Sequence, residues 1–180
     1  MSKISVIIPF YPSSPEKYEV LQKCVKSLPE HYETIVVWHN EGGMAWAINQ
    51  GVRCATGTHL LIMNDDVEWL SGDLNDLCFG GTSTSPSFRG RTYDLLWGSC
   101  FCVPKAVWEK IGDMDERYDG GYFVDDDIIK TLQFNNFPMQ AVPSVVFDHK
   151  HPGTTLDKDP NRTKSYDENK VKFNEKWNIK

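Results

Sequence analysis

A chain of 180 residues that is 40% hydrophobic and carries a net charge of −6 is long and apolar enough for one compact domain with its own core, and too acidic to be a general binder of phosphate backbones. Its five cysteines, Cys24, Cys54, Cys78, Cys100 and Cys102, are odd in number and scattered, which argues against a disulfide framework or a zinc knuckle and fits a reducing, cytoplasmic setting. No apolar run approaches the roughly 20 residues of a membrane span, and the apolar piece near the N-terminus is too short for a signal sequence and is closed by Pro9.

Residues 4–8 are β-branched and apolar, which predicts a buried strand. Ser14 is placed to cap a helix that has Pro15 at its first position, and Tyr18, Leu21, Val25 and Leu28 then fall at helical spacing. Residues 34–38 read as a second buried strand, followed by the polar glycine loop 39–43. Residues 44–54 read as a helix, Gly57 closes its connection, and residues 59–63 form a third strand that runs into Asp65-Asp66. Strand, helix, strand, helix, strand in that order predicts a parallel sheet with helices on its faces. Residues 79–91 are small, polar and rich in breakers, and read as a mobile loop. A strand over 97–103, a helix over 105–111, a loop over 113–122 and a helix over 128–134 follow. A last strand over 141–147 is interrupted by Pro143 and ends at Asp148-His149. The polar tail contains a helix over 165–177.

Three groups of hard, charged side chains mark element ends: Asp65-Asp66, Asp125-Asp126-Asp127, and His149 with His151. Ligands of open α/β sheets sit at the carboxyl ends of strands, where two of these groups fall. A carboxylate pair and an imidazole suit a divalent cation such as Mn²⁺ or Mg²⁺, and the third group offers a general base. Each has a plainer reading as a solvated turn, a carboxylate run favoured by a helix N-terminus, or a surface histidine. Cys100 and Cys102 alternate on one side of a strand and read as core, and Trp46 and Trp108 on helices read as core or interface aromatics.

The order of these signals resembles a GT-A glycosyltransferase of the family-2 type. The resemblance runs from Ile4 to about His151 and is carried by "SVIIPFY" at 5–11, "ETIVVWHNEGG" at 33–43, "GGMAWAINQGVRCATGTHLLIMNDDV" at 42–67, "GSCFCVPKAVWEKIGDMDERY" at 98–118, "FVDDDI" at 123–128 and "VPSVVFDH" at 142–149. It implies an α/β, Rossmann-like GT-A domain over residues 1–152, with a central, mostly parallel mixed sheet flanked by helices. The nucleotide-binding half is about 1–70 and the acceptor-binding half about 71–152, with a tail over 153–180. It implies metal-dependent, inverting transfer of a sugar from a nucleoside-diphosphate sugar to an acceptor hydroxyl.

Residue by residue, the resemblance places Pro9, Phe10 and Tyr11 at the nucleotide base, with Phe10 or Tyr11 stacking on it. Asn40 stands where relatives carry an acidic residue that contacts the nucleoside. Asn49 matches a polar helix position near the nucleotide. Asn64 and Asp65 match ribose or sugar contacts, and Asp66 and His149 the ligands of Mn²⁺ or Mg²⁺. Asp125 is the base in the register that sets Ile128 on the family's leucine, and Asp126 if the register slips by one. The segment 149–164, with Lys150, Lys158 and Arg162, is read as a lid over the diphosphate. The competing readings are a nucleotide-sugar-binding protein without catalysis, and a nucleotidyltransferase, which the absence of a basic glycine loop after the first strand disfavours. The acceptor is left open among sugars, lipids, proteins and a modified DNA base, although the acidic charge argues against nucleic acid.

Overall fold

The computed structural model describes residues 3–39, 43–92, 96–118, 120–149 and 162–179. The first half alternates as the apolar runs dictate: β1 (Ile4–Phe10), α1 (Pro15–Ser27), β2 (Glu33–Trp38), α2 (Met44–Cys54) and β3 (His59–Met63). The second half adds β4 (Val67–Ser71), a 3-10 turn at Leu74–Leu77, β5 (Ser83–Phe88), β6 (Cys100–Pro104), α3 (Lys105–Ile111), α4 (Val124–Phe134), β7 (Met139–His149) and α5 (Arg162–Trp177).

The seven strands form one mixed sheet in the order β2-β1-β3-β6-β5-β7-β4. Parallel pairing joins β1 to β2 and to β3, and β5 to β7. The pairs β3–β6, β5–β6 and β4–β7 are antiparallel. β1 connects through α1 to β2 on one side, and β2 connects through α2 to β3 on the other. Strand order therefore reverses beside β1, which opens a crevice beyond the carboxyl ends of β1, β2 and β3.

Side chains of the central strands alternate between two cores. Ile4, Val6, Ile8 and Phe10 join Leu21 and Cys24 of α1 and its cap residue Leu28, with Cys100 and Cys102 among them, as their alternation predicts. Ile7, Leu60, Ile62 and Phe101 join Ile48 and Val52 of α2, Trp108 of α3 and Ile128 and Leu132 of α4 on the other face. Covered on both sides, β1 and β3 are buried at every position. Gly51 lets α2 lie this close to β1, because a Cβ there would collide with the Ile7 side chain. Trp46 is only half-buried.

Four sequence expectations change. The loop read over 79–91 contains β5, whose Ser83, Thr84, Ser85 and Ser87 are fully buried. Thr84 and Ser87 fit here because their hydroxyls find carbonyls: Thr84 Oγ1 donates to Leu77 O at 2.7 Å, and Ser87 Oγ to Val145 O at 3.2 Å. β4 was not foreseen at all; it pairs with β7 along a partly exposed edge. Pro143 does not end the last strand. The β5–β7 register jumps from Pro86↔Val142 to Ser87↔Val146, and the bulge absorbs the missing N–H. Ser14 does occupy the cap position of α1, with Pro15 next, but its hydroxyl makes no capping bond. No helix among the described residues is long and apolar enough to cross a membrane.

Candidate active site

A cavity of about 240 Å³ lies in the crevice. Pro9 reaches it from β1, and Tyr11 and His39 from just past the ends of β1 and β2. The Tyr11 and His39 rings lie 5.7 Å apart at a tilt of 36°, and Tyr11 is 43% exposed, so an aromatic face is open to a flat ligand. Phe10 does not line the cavity. Strand alternation turns it into the core, edge-on to Tyr18 and Trp38. Asn40 lies outside the described residues, as does most of the segment read as a lid.

Asn49 is fully buried and faces elsewhere. Its Nδ2 donates to Met114 O at 3.0 Å and to Glu116 Oε1 at 2.8 Å, while its Oδ1 accepts from Met114 N at 2.9 Å. It ties α2 to the loop before α4.

Asn64, Asp65 and Asp66 turn the chain from β3 into β4, held by bonds from Asn64 N to Ser99 O and from Val67 N to Asn64 O. All three line the cavity. The adjacent carboxylates are tolerated because each has its own partner. Lys17 of α1, itself buried, places Nζ 3.2 and 3.3 Å from the two Asp65 oxygens. Burial nevertheless outweighs Lys17, helped by the neighbouring Asp66 charge, and pushes the Asp65 carboxyl up to about 6. Asp66, 6% exposed, has Oδ1 2.9 Å from His149 Nε2. The β4–β7 register, which sets Val67 opposite His149, brings them together.

His149 is braced from behind. The Phe88 and Trp97 rings meet it edge-on, with centroids 6.4 and 5.7 Å away. Its neighbour Asp148 is buried and accepts two bonds from the Arg89 guanidinium. Arg89 stands in the left-handed region at φ 45° while it does so.

The three aspartates that open α4 diverge, because successive helical side chains are rotated by about 100°. Asp125 lines the cavity, and burial together with the Asp126 charge raises its pKa. Asp126 is exposed and is not part of the lining. Asp127 is buried on the far side and accepts from Tyr118 Oη at 3.1 Å, Lys176 Nζ at 2.7 Å and Trp177 Nε1 at 2.8 Å. Gly98 makes room for Asp125: a Cβ there would collide with its carboxylate.

The fold thus gathers Pro9, Tyr11, Asn64, Asp65, Asp66, Asp125 and His149 around one cavity and leaves Phe10, Asn49 and Asp126 outside it. His39, Gly98 and the Lys17 partner of Asp65 were not foreseen as site residues. Lys17 had one faint signal, a lysine in the first turn of a helix that follows a strand end. Among the described residues no group of three or more His, Cys, Asp or Glu is arranged to hold a metal. Asp66 and His149, an oxygen and an imidazole donor facing each other in the cavity, are of the donor types that suit Mn²⁺ or Mg²⁺.

The model of a family described as glycosyl transferase family 2 matches residues 29–78, which span β2, α2, β3 and the Asp65-Asp66 turn. No curated protein matches the sequence significantly. Among solved structures, GalNAc-T7 with UDP, GalNAc and Mn²⁺ superposes with a TM-score of 0.67 at 13% identity, over 83% of this chain and 43% of that one. The Drosophila β1,4-galactosyltransferase 7 catalytic domain with xylobiose gives 0.67 at 16% identity, over 91% of this chain and 79% of that one. The chain is GT-A in fold, and its residues 29–78 resemble glycosyl transferase family 2. A mannosyltransferase from Pyrobaculum calidifontis, in complex with GDP-Man and Mn²⁺, gives 0.61 at 17% identity over 85% of this GT-A chain. This chain spans less than half of the GalNAc-T7 chain and 58% of the mannosyltransferase. The matched family model and the superposed structures are of glycosyl-transferring proteins.

Proposed function

We propose that the chain is a metal-dependent, inverting glycosyltransferase that moves a sugar from a nucleoside-diphosphate sugar to an acceptor hydroxyl. The observation that carries this reading is the convergence of the Asp66–His149 pair and Asp125 on one cavity at the carboxyl ends of β1–β3. The neighbours support the donor class, since they hold Mn²⁺ with UDP or GDP-Man.

Tyr11 offers its ring to the nucleobase, and Asn64 and Asp65 offer polar groups to the ribose or the donor sugar. Asp66 and His149 would hold Mn²⁺ or Mg²⁺, which when bound supplies positive charge against the departing diphosphate. Asp125 accepts the proton of the acceptor hydroxyl. The hydroxyl oxygen forms its bond to the anomeric carbon as the bond to the diphosphate oxygen breaks, and that oxygen keeps the electron pair. A single displacement of this kind inverts the anomeric centre. Burial suits Asp125 to the task, because a raised pKa makes a carboxylate a stronger base. Its place in the lining favours it over Asp126 as the base. Residues 1–152 are the proposed catalytic domain, and α5 of the tail beyond packs against it.

The test is nucleoside diphosphate release from UDP-galactose, UDP-N-acetylgalactosamine and GDP-mannose with Mn²⁺, comparing the wild type with Asp66→Ala. Metal-dependent release that the substitution abolishes supports the proposal. Tight donor binding with no release from any donor would instead support a nucleotide-sugar-binding protein without turnover.

A further inference from the structure

We propose that the C-terminal helix α5 is the positioning element for the catalytic carboxylate, with Lys176 and Trp177 as the positioning residues acting through Asp127. This inference rests on the reading of Asp125 as the base.

Asp125 sits at the second position of α4, directly after Phe123 and Val124. Its direction depends on how that first turn is set. The turn begins from a left-handed residue, Phe123 at φ 66°, which lacks the freedom of glycine and must be held there by its surroundings. Helix α5 supplies most of that hold. The Phe173 and Tyr166 rings lie 5.3 and 5.2 Å from the Phe123 ring. Fully buried Asn169 donates to Tyr122 O at 3.0 Å, and Lys172 Nζ donates to Arg117 O at 2.7 Å. The residues on both sides of the cavity-lining Gly120 and Gly121 are therefore tied to one helix.

The strongest tie is two residues past the base. Lys176 Nζ bridges Asp127 Oδ2 at 2.7 Å and Asp115 Oδ2 at 3.2 Å, and Trp177 Nε1 donates to Asp127 Oδ1 at 2.8 Å. Asp127 N in turn donates to Phe123 O at 2.9 Å, closing the first turn of α4. Asp127 is thus fixed from both ends of its carboxylate, and the rotation of α4 that points Asp125 past Gly98 into the cavity is fixed with it. The mixed roles of three consecutive aspartates follow: one faces the ligand, one faces solvent and one anchors the helix.

A misplacement of about 1 Å at a reacting group can cost on the order of 100-fold in rate. The test uses Lys176→Gln, Trp177→Phe, the conservative Lys176→Arg, and Lys170→Ala as a control at an exposed position of α5. Release of nucleoside diphosphate from the same three donors with Mn²⁺ gives kcat and KM, and UDP and GDP titrations give affinity. Lys176→Gln and Trp177→Phe are expected to lower kcat about 10- to 100-fold with KM and UDP or GDP affinity within about twofold, while Lys176→Arg and Lys170→Ala stay near the wild type. The inference is overturned if kcat is unchanged in both variants, or if kcat and nucleotide affinity fall together in step with lost folded protein. If Asp125→Asn itself retains full turnover, the reading of the base is wrong. If Asp125→Asn is inactive while Lys176→Gln and Trp177→Phe are normal, only the positioning role is wrong.

Discussion

Asp66 and His149 are 83 residues apart in sequence, yet His149 Nε2 and Asp66 Oδ1 meet at 2.9 Å in the cavity. The contact is made by strand pairing: β4, which starts directly after Asp66, lies antiparallel to the end of β7. Removing either partner should leave the sheet intact, because the strand hydrogen bonds do not depend on these side chains. Asp66→Ala and His149→Ala are each expected to weaken Mn²⁺ binding at least 10-fold and to lower turnover at least 100-fold, with little change in Tm. Calorimetric Mn²⁺ titration and thermal melts check both halves of that statement.

Asp125 gives the pH dependence. Its pKa is raised by burial and by Asp126, and it works as a base only when deprotonated. The acid limb of kcat/KM should therefore lie above the ordinary aspartate value of about 4, with activity rising as pH increases through it. Asp126→Asn removes one cause of the shift and should move that limb to lower pH. Asp125→Asn should erase the limb and most of the activity. A pH–rate profile of the three proteins is the measurement.

Gly98 is required by contact rather than by backbone conformation. In Gly98→Ala the new methyl group meets the Asp125 carboxylate, so the carboxylate must swing away or β6 must shift. The expected result is a loss of about 10- to 100-fold in kcat, with donor affinity nearly unchanged. Steady-state kinetics with separate nucleotide binding decides it.

Asn49 separates stability from function. It makes three buried bonds between α2 and the chain at 114–116, and none to the cavity. Asn49→Ala leaves the buried Met114 N–H unpaired and should cost about 1–3 kcal/mol. Chemical denaturation should show the loss, while nucleoside diphosphate affinity of the folded fraction holds.

The half of the fold that carries Asp65 and Asp66 was legible because its strands are runs of apolar residues separated by helical periodicity. β5 was not. A buried strand of Ser83, Thr84, Ser85 and Ser87 looks like a loop until the carbonyls that take up the Thr84 and Ser87 hydroxyls are known. β4 was hidden for a related reason, since Glu68 and Ser71 fit an exposed edge as well as a turn. In the site, residue identity pointed to Asp66, Asp125 and His149, but facing direction came only from the fold. Phe10, the last residue of β1, turns into the core, and Tyr11, just past the strand, turns to the cavity. Asp126 and Asp127 differ from Asp125 by rotation about one helix. Asn49 and Lys17 act through partners that are 65 and 48 residues away, which spacing along the chain does not reveal.

The most direct test is calorimetric titration of UDP and of GDP into the wild type and Asp66→Ala, each with and without Mn²⁺. Wild-type binding of at least one diphosphate should tighten 10-fold or more when Mn²⁺ is present, and Asp66→Ala should lose that gain. Binding that is indifferent to Mn²⁺, or a gain that survives in Asp66→Ala, would contradict a metal and diphosphate site built on Asp66 and His149.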